Sequence, residues 1–127
     1  MTTEEKRKQL IHDKLKYYSN PFIYFRKIEE LKDSEEKVAW ILQKYPRARN
    51  HDKLLIFYFW KEIDNFQGEM DEEAIMQLTN TETIRRNRQF LQNVLHLFEP
   101  DEDIKEQREI CQEAVRDYIN NKTEGIK

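Results

Sequence analysis

A chain of 127 residues with a net charge of -3 is sized for one domain, and 38 % apolar with 12 % aromatic residues excludes a disordered polymer. Only two glycines and three prolines interrupt a composition rich in Lys, Glu, Gln and Arg, which favours helix over sheet. One cysteine excludes an intrachain disulfide, and no apolar run reaches membrane-spanning length or forms a signal segment, so a cytoplasmic location without membrane contact is expected.

These features predict an all-α, compact multi-helix bundle: one helical domain over residues 1–120, with a flexible tail over residues 121–127. Residues 3–18 form the first expected helix, with Leu10, Ile11, Lys14, Leu15 and Tyr18 on a partial apolar stripe. Asn20-Pro21 ends it or starts the next, because the residue before a proline avoids the helical region. Phe22, Ile23, Phe25, Ile28 and Leu31 then continue helical spacing to about Lys32. Either Asp33 or Ser34 caps the following helix, and only Asp33 places a glutamate, Glu36, at capping-box spacing. Val38, Ile41, Leu42 and Tyr45 give it one apolar face, and Pro46 stops it.

Asn50 is the expected cap of the next helix, with Asp52 in the first turn, where the helix N-terminus favours an anion. Periodicity cannot assign the continuous apolar run at residues 54–60 to a strand or a buried helix. Its single β-branched residue, Ile56, and its helical flanks favour a helix over residues 51–64 as the spine of the core. Asn65-Phe66-Gln67-Gly68 reads as a turn from which Phe66 folds back. A short helix follows at residues 71–78. Thr79 and Glu82 then have capping-box spacing, with Asn80 and Thr81 as alternative caps. Beyond them Ile84, Leu91, Val94, Leu95 and Phe98 form a long inward face, closed by Glu99-Pro100-Asp101. The last helix, over residues 102–120, is expected to turn Ile104, Ile110 or Cys111, Ala114, Val115, Tyr118 and Ile119 inward. That would make Cys111 a small buried hydrophobe.

A short helix, a polar turn and a basic second helix outline a helix-turn-helix-like pair. With the apolar face inward, Arg85, Arg86, Gln89, Gln92 and Asn93 fall on or near the outward arc, and Arg88 lies on its flank. Arg and Gln are residue types that pair with guanine and adenine edges, while Thr81, Thr83 and the first helical N–H groups suit a phosphate. DNA is therefore the expected partner. Residues 1–32 carry a net +3 and residues 82–98 a net +2, whereas residues 66–81 and 99–127 each carry -4, so a basic face can exist on an acidic protein. The same arginines also suit salt bridges with the acids at 71–73 and 101–103.

No enzyme chemistry is expected. His12, His51 and His96 are isolated, no spacing suits a metal, and no glycine-rich phosphate loop occurs, so no cofactor is implied.

The segment Pro46-Arg47-Ala48-Arg49-Asn50-His51-Asp52-Lys53-Leu54, followed by Thr79-Asn80-Thr81-Glu82-Thr83-Ile84-Arg85-Arg86-Asn87-Arg88-Gln89, resembles uncharacterised small phage and prophage proteins over residues 46–98. His51 intervenes before Asp52 here, and Asn87 separates the arginines. The resemblance implies a small regulatory phage protein of the host cytoplasm. The competing expectation is a protein-interaction module or an inhibitor of a host protein, motivated by the aromatic content and the acidic C-terminal segment. A homodimer is a further expectation, because one short helix reads few bases.

Overall fold

The computed structural model describes residues 2–69 and 71–124, with side chains through Asn121. Helix α1, Thr3–Tyr18, starts at a capping box: the Thr2 hydroxyl accepts from the Glu5 N–H at 3.2 Å, and the Glu5 carboxylate accepts from the Thr2 N–H at 3.3 Å. Its stripe is thin, since Tyr18 alone is buried and Leu10 is largely exposed.

The continuous helix expected to Lys32 is not formed. Two 3-10 segments, Pro21–Phe25 and Ile28–Glu30, take its place. Local and tertiary hydrogen bonds hold the tighter turns. The Asn20 side chain accepts from the Phe22 N–H at 3.0 Å, and the Tyr24 hydroxyl donates to the Tyr18 carbonyl at 2.9 Å. Ile23 and Leu31 enter the core, while Phe22 and Phe25 stay 73 % and 82 % exposed.

Helix α2, Ser34–Lys44, is capped by Asp33, which accepts from the Glu36 N–H at 2.9 Å. The Glu36 side chain does not close a box. It is buried and accepts instead from the Tyr17 hydroxyl at 3.0 Å and from Arg26 at 3.3 Å. Val38, Ala39, Ile41 and Leu42 are sealed from solvent, as their helical spacing requires.

After a 3-10 segment at Pro46–Arg49, helix α3 spans Asp52–Glu62, so the ambiguous run at residues 54–60 is helical. His51 occupies its cap position. Asn50, the expected cap, instead exchanges two hydrogen bonds with Asp101, at 3.0 and 2.8 Å. Leu55 and Phe59 are buried, Trp60 is half-buried and Phe57 is exposed, so the run packs over an arc and not all round. The turn after it has positive φ at Asn65 (56°) and Gly68 (91°), and the Phe66 ring lies 6.4 Å from that of Trp60.

Helix α4 is Glu72–Gln77, and α5 is Thr81–Gln89 with Asn80 as its cap. The long helix expected to run to Phe98 breaks earlier. A π-helical turn at Phe90–Val94 inserts an extra residue, after which His96 and Phe98 adopt positive φ (55° and 52°). Leu91 and Leu95 stay inside and Val94 rotates outward.

Helix α6, Glu102–Glu124, is about 35 Å long and leaves the body. Its Ile104, Lys105 and Arg108 are half-buried, but every residue from 109 to 121 is exposed. The inward placement expected for Ile110, Cys111, Ala114, Val115, Tyr118 and Ile119 is thus overturned. Spacing specifies that a helix face is apolar; it does not specify that the body reaches far enough to bury it. The helix also continues through the first part of the expected flexible tail, and residues 125–127 of that tail lie outside the described residues.

The core is formed chiefly where α2, α3 and α5 meet, which makes the molecule an all-α multi-helix bundle with no strand among the described residues. No helix among them is long and apolar enough to cross a membrane.

Candidate functional site

A basic surface is expected on α5, and the inward stripe of α5 and of the turn after it decides which groups remain outside. Ile84, Arg88, Leu91, Gln92 and Leu95 are all buried. Two of these five are polar. Arg88 stands four residues after Ile84 and seven before Leu95, on the same helical face, so its inward position follows from spacing. Its partner is Asp52, at the start of α3. Arg88 Nε and Nη2 donate to Asp52 Oδ1 and Oδ2 at 3.0 and 3.1 Å, a bidentate pair.

Gln92 extends the network. Its Nε2 donates to the carbonyls of Arg49 at 3.1 Å and Phe98 at 2.8 Å, and its Oε1 accepts from Arg108 Nη1 at 3.0 Å. Arg49 Nε in turn donates to the Leu42 carbonyl at 2.9 Å. Burial lowers the pKa of both Arg49 and Arg108, and the nearby charge of Arg88 pushes Arg108 down further. One polar cluster therefore joins the end of α2, the start of α3, α5, the turn at Phe98 and the root of α6. It also holds Phe98 in the left-handed region, which costs an aromatic residue about 1–3 kcal/mol.

Gln92, expected on or near the outward arc, and Arg88, expected on its flank, are consequently corrected: both side chains are buried. Arg85 and Arg86 do point to solvent, with side chains 49 % and 76 % exposed, and both guanidiniums engage the one carboxylate of Glu82. Pairs of this kind on a surface are worth about 0–1 kcal/mol, so either arginine can be redirected at little cost. Thr81, Thr83 and Asn93 are exposed and Gln89 is half-buried. Asn93 opens onto a cleft of about 660 Å³ between α6 and the body, which His51, His96 and Gln112 also line. The salt bridges expected with residues 71–73 and 101–103 are not the ones formed; Glu82 and Asp52 take those places.

Helix α4 buries no side chain, and its Ile75 and Met76 are 52 % and 83 % exposed. It does not brace α5 as the first helix of a helix-turn-helix braces the second. The link between them is anchored to α3: Thr79 donates through its N–H and its hydroxyl to Asp64 at 2.8 and 2.9 Å, and its carbonyl accepts from the Trp60 indole at 3.0 Å.

The residues weighed for chemistry lie apart. His12 and His51 are exposed. His96 bonds Glu99 at 2.9 Å and, with help from Lys105, holds that carboxyl below the usual range. Among the described residues no three His, Cys, Asp or Glu side chains gather as a metal would require. Asp71 caps α4, and the acids at 101–103 sit at the start of α6, where negative charge meets free N–H groups. Cys111 is exposed and not buried, on the part of α6 beyond the body.

Comparison with protein-family models, curated proteins and solved structures gives no match.

Gln92→Ala is expected to destabilise the fold by about 1–3 kcal/mol, because it removes a buried side chain that donates to the carbonyls of Arg49 and Phe98 and accepts from Arg108. Arg85→Ala and Arg86→Ala are expected to stay within about 0.5 kcal/mol of the parent. Urea unfolding of the three variants checks this. Equal losses in all three would contradict the division into inward and outward groups.

Proposed function

We propose that this chain is a protein-interaction module whose contact is made by the apolar face of α6 beyond the body. The observation that carries this is the continuity of one helix face. Ile104 and Arg108 lie half-buried against the body, and the same face runs on as Cys111 and Val115, both exposed. Fully burying one such aliphatic side chain contributes about 1.5–3 kcal/mol, so a helix or helical groove laid along this stripe gains from each turn it covers. Residues 102–121 hold six acids against three bases, which favours a partner with a basic rim. The resemblance to small phage proteins would make that partner a host protein.

A photo-crosslinking residue introduced at Val115 is expected to give a defined protein adduct in the chain's own host. The same residue at Glu113, on the opposite side of α6, is expected to give none. Equal adducts at both positions, or none at either, would reject α6 as the contact.

Recognition of nucleic acid by α5 is the second function that a specific observation favours, namely the exposure of Arg85 and Arg86 on a helix whose other side is buried. It rests on Arg85 and Arg86, with Thr81, Thr83, Gln89 and Asn93 around them, and no longer on Arg88 or Gln92. Changing Arg85 and Arg86 together to alanine is expected to weaken duplex DNA binding and to flatten its log–log salt slope by about 2. Unchanged affinity would reject it.

A further inference from the structure

A cleft of about 760 Å³ lies on the side of the body formed by the first 3-10 segment, α2 and the turn before α6. Its apolar walls are Pro21, Tyr24, Phe25, Trp40, Leu97 and Phe98. The rings are set at angles to one another: Tyr24 and Phe98 meet edge to face at 5.5 Å, and Phe22 flanks Phe25 at 6.5 Å. Most of Phe25 is exposed on the rim, so the cleft is open along its length and suits an extended chain better than an enclosed small molecule.

Two polar groups stand out on these walls. Trp40 is nine-tenths buried, yet its indole N–H finds no acceptor among the described residues, and its nitrogen is not sealed from water. The other tryptophan behaves differently, since the Trp60 indole N–H donates to the Thr79 carbonyl at 3.0 Å. An indole N–H that water can reach and that no group among the described residues engages is able to donate to an acceptor lying in the cleft. The second group is Lys44, one turn along α2, with its ammonium 4.7 Å from the Trp40 ring centroid. Among the described residues it is the only charged side chain on the cleft wall, and its contact with Glu62 is long, at 3.7 Å, and half-exposed. The cleft therefore presents an indole donor and one cation on an aromatic floor, with Tyr18, Ser19 and Gln43 as further polar lining and no carboxylate among the described lining residues.

We infer that this cleft binds an extended, proline-containing segment of a partner protein that carries one acidic residue. Proline rings stack between angled aromatic rings, and a polyproline II chain is already ordered, so little entropy opposes its docking. The Trp40 N–H donates to a backbone carbonyl of that segment, and Lys44 meets its carboxylate. The cleft does not include any part of α6, so this contact is independent of the one proposed above.

The test is a titration of the full chain with a short acetylated oligoproline ending in glutamate amide, followed by the two indole N–H signals in nitrogen–proton NMR spectra. The Trp40 signal is expected to move saturably while that of Trp60 stays still. Phe25→Ala changes an exposed ring that the fold does not need, and is expected to weaken binding by roughly tenfold. Lys44→Glu is expected to reverse the preference between this peptide and one ending in lysine amide. Val115→Asp on α6 is expected to leave binding unchanged, so loss of the α6 contact and loss of this one are separable. A still Trp40 signal, equal movement of both indoles, or undiminished binding by the Phe25 variant would overturn the proposal.

Discussion

Asp52 and Arg88 place two opposite charges where α3 meets α5, and they lock through two parallel hydrogen bonds. Arg88 is almost wholly buried, whereas about a third of the Asp52 side chain still meets solvent. A guanidinium taken out of water loses several kcal/mol of hydration, which only a well-aligned carboxylate returns. The pair is thus a condition on how the helices meet more than a source of net stability. Any register of α5 against α3 that separates these two residues leaves a buried charge unmatched. Gln92, in the π-helical turn that follows α5, applies the same condition to backbone carbonyls at Arg49 and Phe98 and to the root of α6 through Arg108.

Several surface features follow from that clamp. With Arg88 and Gln92 committed inward, the outward side of α5 retains two arginines that share one glutamate. The hydrogen bond from Gln92 also holds Phe98 in its strained backbone state, and so fixes one wall of the aromatic cleft. Arg108 ties α6 to the body, and beyond it the described side chains from 109 to 121 are exposed, with apolar groups on the same face. Two unrelated surfaces, one helical stripe and one aromatic cleft, are in this way set by a single polar cluster in the interior.

Much of the architecture was legible from residues alone. The spacing of Val38, Ile41 and Leu42 marked α2, Asp33 marked its start, Pro46 its end, and Gly68 the turn after α3. Where inference failed, the cause was nonlocal. Phe22, Ile23, Phe25, Ile28 and Leu31 have helical spacing, but bonds from Asn20 and Tyr24 stabilise tighter turns there. Asn50 is a good cap by type and was drawn off by Asp101. A π-helical turn shifted the phase of the residues after Phe90, which no propensity marks. The apolar face of α6 was correctly read as a face and wrongly supposed to be covered. Arg88 was the avoidable error in the candidate site. Its spacing from Ile84 and Leu95 pointed inward, and Asp52 was available as the partner that an inward arginine needs.

The central claim is that the Asp52–Arg88 pair acts as one unit across the helix interface. A double-mutant cycle measures this most directly, using Asp52→Ala, Arg88→Ala and the double variant in equilibrium urea unfolding. Each single change should be strongly destabilising and the double change much less than their sum, with a coupling of at least about 2 kcal/mol. Additive losses, with a coupling near zero, would show that the two groups contribute separately and would contradict the account.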